Sequence, residues 1–435
     1  MVPVYPADGA AQVELDPALS ATIEGVEGAA RIEGREYTEP GQPFSLVAIP
    51  DTQNYACGCN GGQTETFGLQ TAWIAAFSAM TDLRFVTQLG DCVQNGDEIP
   101  EEWDLANAAM TVVENLGVPY GIVVGNHDQT PVGNPGGTAL YNATFGISRF
   151  ATFPWYVGHY GSDNDNHVET FEAGNVGWVV VHLEFDDNAN PAVLAWLDDV
   201  LTAHADRRAI VATHNLVDTL GHYSAQGTAI YNVVRTHENV GLMLGGHVLG
   251  EGRREDSAGA HAVHSLLSDY QGRENGGDGW LRILNFTPAT QEIEVLSYSP
   301  TRDEYERDSD SEFVLATDLS PATWPTLAGG SSVKWDGLAA ETRYEWRVVV
   351  ETEDGPHWGP TWTFTTGRDE SPFDNGDSGA DTAPTDSGGD SGSDSADLDG
   401  VTLTGGCGCQ QGAAPGSVPA VLLGFAAMCR PRRPR

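Results

Sequence analysis

The sequence predicts an α/β layered core. Six short apolar runs alternate with helix-like segments through the middle of the chain, and each run stops on a polar residue of a kind that binds metals or moves protons. A length of 435 residues with 40% hydrophobic content is enough to bury a large core, and two domains plus a tail is the expectation.

The first run, "SLVAIPD" (45–51), ends on Asp51, with Gln53 two residues beyond. "RFVTQLGD" (84–91) ends on Asp91, and "YGIVVGNHD" (120–128) ends on Asn126 and His127 followed by Asp128. "GWVVVHLEFD" (177–186), "RAIVATHN" (208–215) and "VGLMLGGH" (240–247) end on acids, on His214 and on His247. Between them, segments such as "QTAWIAAFSAM" and "PAVLAWLDDVLTAH" carry helical spacing. In open α/β sheets the carboxyl ends of the strands converge on one rim, where ligands bind. Taken singly, an Asp after a strand is more often a helix cap, and a lone histidine a hydrogen-bonded structural residue. Taken together, two carboxylates, an amide oxygen and two imidazoles suit divalent ions such as Mn, Fe, Zn or Mg. Paired ions of this kind generate a hydroxide and neutralise the charge of a phosphoryl group.

Charge narrows the partners. The chain carries 62 acids against 21 basic residues, Lys334 being its one lysine, for a net charge of -41. Such a field repels phosphate backbones, so tight nucleic-acid binding is not expected; most of these acids read as a solvated surface. Six cysteines fall as Cys57 and Cys59, Cys407 and Cys409, and lone Cys92 and Cys429, a spacing of neither zinc fingers nor a dense disulfide framework. Cys57 and Cys59 read as a loop disulfide, a metal pair or plain loop residues.

The opening "MVPVYPADGA" has no basic n-region and no apolar h-region, so no signal peptide is legible; a truncated gene start would hide one. Residues 368–406 read as a self-repelling acidic Ser/Gly/Asp linker. Beyond it, 407–435 joins Gly-Cys-Gly-Cys to a short apolar stretch and "RPRRPR". A spanning helix wants roughly 20 apolar residues, so physics leaves this end between a marginal membrane anchor and a loose tail. The order of acidic spacer, Gly-Cys-Gly-Cys, apolar segment and arginines resembles the myxobacterial-type C-terminal sorting segment, which implies export and a membrane or cell-envelope tether at the cell surface.

"DTQ", "GDCVQNG", "GNHD", "THN" and "GGHVLG", in that order, resemble the motif series of calcineurin-like metallophosphoesterases over residues 45–312. The resemblance implies a layered β-sandwich with flanking helices and two divalent ions. Asp51 and Asp91 would hold the first ion, and Asp91 would bridge to a second held by Asn126, His214 and His247. His127 would be the general acid, with Asp128 orienting it. Gln53 stands where the family has its first histidine and Leu249 where it has its last. Both normally serve the first ion, so that site is depleted and favours oxygen-loving ions, with Gln53 offering an amide oxygen and Glu251 or Tyr55 as substitute ligands. Arg253 and Arg254 are candidates for phosphate oxygens, a solvated rim being the plainer reading. His261 and His264 lie on opposite faces of a strand, so at most one turns to the site.

The flanks, 1–44 and 313–367, resemble the opening and closing strands of a fibronectin type III-like sandwich, with Leu338, Thr342 and Tyr344 at the spacing of its tyrosine corner. About 55 residues after the core are too few for a sandwich of roughly 100 residues, so one sandwich split around the core is expected. The function expected is hydrolysis of a small phosphomonoester or phosphodiester at the cell surface. The alternative is a non-catalytic binding or adhesion protein on a degenerate site: His127 favours the enzyme, and Gln53 and Leu249 favour the rival.

Overall fold

The computed structural model describes residues 1–368, within the compact unit Met1–Ser371. The expected linker from Asp369 onward and the sorting segment at 407–435 lie outside the described residues.

Two seven-stranded sheets form the core, and the strand Phe44–Ile49 shows why its sequence is apolar without alternation. All six of its residues are buried. Phe44, Leu46 and Ala48 face the other sheet, among Phe85, Phe171, Trp178 and Phe286, while Val47 and Ile49 face helices on the outside. Side chains alternate along a strand, so a strand covered on both faces must be apolar throughout. This sheet runs Phe44–Ile49, Leu83–Gln88 and Tyr120–Ile122 in parallel, with Leu281–Thr287 and Glu292–Ser299 added antiparallel. Helices Glu65–Ser78, Pro100–Glu114 and Ala139–Phe145 cover its outer face.

The second sheet pairs Val176–Leu183, Arg208–Thr213, Val240–Gly245 and His261–Asp269 in parallel. Helices Pro191–Ala203 and Ala225–Val234 pack outside it through Leu197, Leu201, Ile230 and Val234. The first of these starts cleanly because Asn190 accepts a hydrogen bond from the N–H of Ala192 and Pro191 occupies the first turn. The core is therefore a mixed α/β arrangement of helix, sheet, sheet and helix layers. Among the described residues no helix is long and apolar enough to cross a membrane.

The two flanks of the sequence interleave in a separate β-sandwich. Strand Ala29–Glu36 pairs over eight residues with Arg343–Thr352 and on its other side with Thr326–Gly329. Ala18–Thr22 pairs with Ser332–Lys334, and Ala10–Val13 with Trp362–Thr366. Leu19, Ile32, Tyr344, Trp346, Trp362 and Phe364 fill the space between these sheets. The Tyr344 hydroxyl accepts a hydrogen bond of 2.8 Å from the N–H of Ala339, tying a corner back onto its own strand. One boundary differs from the expectation. Glu312–Ala316 pairs with Glu292–Ser299 in the core, because Leu315 is needed between the large sheets; sandwich strands resume only at Thr326.

Candidate metal centre

Five chain reversals at strand ends build the centre. The parallel strands of both sheets aim their carboxyl ends at one rim, and Asp51, Asp91, Asn126, His214 and His247 each lie within a few residues of such an end. His214 is the hub. Its Nδ1–H donates to the carbonyl of Leu89 at 2.8 Å, which turns Nε2 into the site. Around Nε2 stand Asn126 Oδ1 at 3.1 Å, Asp91 Oδ2 at 3.2 Å and Asp51 Oδ1 at 3.9 Å. His247 closes the group, its ring centre 5.0 Å from that of His214.

The backbone bends to make this possible. Asp91 and His247 hold φ angles of 52° and 70°, in the left-handed region that a side chain of this size rarely adopts. Gly125 has no side chain for a related reason: a Cβ there would lie 2.1 Å from the nitrogen of Asp91 and 2.2 Å from its Oδ1. Gly246 likewise lets Asp51 approach, its absent Cβ falling 2.4 Å from Asp51 Oδ2.

Electrostatics show a site short of positive charge. Burial, and then the neighbouring Asp269, push the Asp51 carboxyl well above its ordinary range. Burial works against a charged His214, yet Asp91 and Asp51 outweigh it and raise the imidazole to about 10. Burial also pushes Asp91 up, but the His214 charge and hydrogen bond prevail and hold it below its ordinary value. Burial and the charge of His214 lower His247 to about 4. A single proton on His214 thus does the work of a cation.

The residues fit a divalent ion. Gln53 Oε1 is buried with no hydrogen-bond partner among the described residues, a costly condition unless something else satisfies it. Ligand atoms of Asp91, His214 and His247 all lie within 4.8 Å of one another, and with Asn126 they supply the mixed nitrogen and oxygen set that Zn, Fe or Mn accepts.

His127 stands beside this group on an open cleft of about 520 Å³ that Asp91, Asn126 and His247 also line. Its main-chain N–H donates to Asp91 Oδ1 at 2.8 Å. The ring is held at Nδ1 by Gln94, whose Nε2 is 2.8 Å away and whose carbonyl is 3.0 Å away. Nε2 is then the nitrogen left for the cleft. Asp128 does not orient this ring, contrary to the expectation. Its buried carboxylate accepts from the N–H groups of Val93 at 3.0 Å and Gly125 at 2.8 Å, so it pins the two loops that carry Asp91 and Asn126.

Other expected candidates lie elsewhere. Glu251 is occupied by Tyr270, Ser297 and Ser311 and by Arg282 and Arg273, and the Tyr55 hydroxyl accepts from the N–H of Gly279. Neither replaces a missing ligand. Arg253 covers Phe313 and Arg254 pairs with Asp256, so neither serves phosphate. His264 bonds the carbonyl of Ala316 and His261 packs on Trp358. Cys57 and Cys59 form a disulfide. Gln94, Asp269, Gln271 and Arg273 went unread in the sequence. "HAVHSLLSD" is itself an apolar run ending on an acid, and that signal marks Asp269.

No family model matches the chain. The uncharacterized protein YvnB of Bacillus subtilis (strain 168) is 29% identical over 364 residues, which cover 75% of this chain and 27% of that protein. The chain thus spans about a quarter of the length of this relative. Among solved structures, a dimetal phosphatase from Danio rerio aligns with a TM-score of 0.41 at 15% identity, covering 64% of this chain and 100% of that one. A purple acid phosphatase from yellow lupin seeds aligns with a TM-score of 0.45 at 11% identity, covering 73% and 75%. The calcineurin-like phosphoesterase YfkN of Bacillus subtilis aligns with a TM-score of 0.34 at 12% identity, covering 68% and 91%.

Proposed function

We propose that this chain is a metal-dependent hydrolase of phosphoric esters of the calcineurin-like kind. The convergence of Asp91, Asn126, His214 and His247 on one point, with His127 beside them on an open cleft, carries the reading. Divalent ions bound there would neutralise phosphoryl charge and acidify water. The chain's own residues do the rest. Leu89 keeps His214 in the ligating tautomer, Asp91 couples the ligand group to the His127 main chain, and Gln94 holds the His127 ring. His127 Nε2 delivers a proton to the leaving alkoxide oxygen. Arg273 lies on the same cleft, held there by Glu251 and Glu306.

Export, a surface tether through the C-terminal segment and a fibronectin type III-like character of the sandwich belong to the same proposal, supported by the sequence of the tail and by the interleaved flanks. A rival reading, a non-catalytic binding protein, draws on Gln53 and Leu249 in place of imidazoles.

Chromogenic mono- and diesters, offered after chelation and re-addition of Mn, Zn, Mg or Fe, separate the two. The enzyme reading expects metal-restored turnover. Asp91→Ala should lose metal and activity together, whereas His127→Ala should keep metal and lose roughly 10²- to 10⁴-fold in rate. Equal, small losses in both variants would sink the mechanism.

A further inference from the structure

Positions 53 and 249 carry no imidazole, and other groups occupy the space beside Asp51. Gln53 is 2% exposed, and its Oε1 has no hydrogen-bond partner among the described residues. Asp91 Oδ2 meets His214 Nε2 at 3.2 Å. Gln53 and Asp91 line the cleft that Gln271 lines. The Gln271 side chain reaches Asp51 Oδ1 at 3.4 Å and Asp269 Oδ2 at 3.1 Å. Its backbone is fixed on both sides: the N–H donates to Asp269 Oδ1 at 2.9 Å, and the carbonyl accepts from Asn54 at 3.0 Å. Leu249 is 59% exposed. It leans on the same loop, where a Cβ on Gly272 would meet its Cδ1 at 3.1 Å.

We propose that Asp51, Gln53, Asp91 and Gln271 form an oxygen-only cation site, adjoining the imidazole-bearing one, that takes a hard divalent ion such as Mg or Mn in preference to Zn. Carboxylate and carboxamide oxygens are hard donors, and a site without imidazole or thiolate selects in that direction. Gln53 Oε1 supplies a buried acceptor that nothing else among the described residues uses. Gln271 contributes by rotation of its carboxamide, whose oxygen and nitrogen exchange places at little steric cost. Asp269 stands behind it as a positioning residue, holding the Gln271 main chain. The site is therefore recomposed from a loop after His261–Asp269, and Leu249 is outside it. The proposal rests on the phosphoesterase reading for the neighbouring ion, and it is tested by binding rather than by turnover.

The full chain, stripped by chelation, is titrated with Mn(II) while free Mn is counted by electron paramagnetic resonance; Mg and Zn are followed by calorimetry. Two Mn equivalents are expected, and Zn should displace Mn strongly from one of them only. Gln53→Leu and Gln271→Leu should each weaken one equivalent by about tenfold or more and spare the other. Gln271→Glu, which keeps the reach and adds a charge, should tighten that same equivalent. One equivalent in the native chain, Leu variants that bind like the native chain, or a Glu variant that binds more weakly would each overturn the site. A chain that binds both ions as described yet hydrolyses no ester would retain this site and overturn the phosphoesterase reading.

Discussion

His214 concentrates the electrostatic problem of the centre in one ring. It lies within 4 Å of carboxylates from two different strand ends, and its raised pKa of about 10 means that the cation-free protein carries a proton there at neutral pH. A metal ligand must be deprotonated, so binding should expel that proton. Calorimetry in buffers of different ionisation enthalpy should show near-complete release of one proton at pH 7, and His214→Gln should abolish it. The stability sign follows from the same shifts. A group with a raised folded-state pKa stabilises fully below its unfolded value and loses that contribution as pH rises through the folded one. Asp269 at about 6 and Asp128 at about 7, both raised mainly by burial, lose theirs first, and His214 follows near 10. His247, His167 and His261, each lowered to about 4 mainly by burial, work in the opposite direction up to their ordinary value of 6.5, so the chelated protein should melt at progressively lower temperature from pH 7 to pH 10, and Mn should flatten the slope; a flat profile without metal over that range would contradict this balance.

Strands and loops divide their labour. Leu46 is fully buried between the two sheets, so Leu46→Ala should cost about 2–5 kcal/mol, the range for a cavity left in a packed core, measurable by denaturant unfolding. Gly125 acts on the site instead. A methyl group there would collide with Asp91, so Gly125→Ala should keep the cooperative unfolding transition and lose at least about tenfold in metal affinity. Equal affinity would show that the loop gives way. The strained φ at Asp91 and His247 fits the same division: rigid strands on either side hold a conformation that the local sequence alone would not choose.

Over the described residues, the core's two flanks return to build one sandwich. Ala29–Glu36 lies between Thr326–Gly329 and Arg343–Thr352, so neither flank forms a closed sheet alone. An ionic cluster fastens this sandwich to the core: Arg347 meets Glu33 of the sandwich and Glu238 of the core. Removing residues 1–36 should unfold the strands from Thr326 onward, read as loss of the near-ultraviolet dichroism of Trp346 and Trp362. Retained signal would mean that the C-terminal strands stand by themselves.

What the sequence by itself determined is the part written in local pattern. Apolar runs ending on Asp51, Asp91, Asn126, His214 and His247 declared buried strands with polar ends, because a two-faced strand cannot hide its composition. "GNHD" marked His127 as a candidate on the cleft, and the alternating flanks marked strands that pair with one another. Tertiary structure decided whatever depends on neighbours distant in sequence. The ring of His127 is held by Gln94, 33 residues away, and not by adjacent Asp128, whose carboxylate is consumed by backbone N–H groups. Glu251, close to His247 in sequence, is drawn off to Arg282 and Tyr270. Gln271 arrives beside Asp51 from 220 residues away. Hydrogen-bond partners are chosen by distance in space, and once burial makes an unpaired polar group costly, the fold rather than the motif assigns each side chain its work.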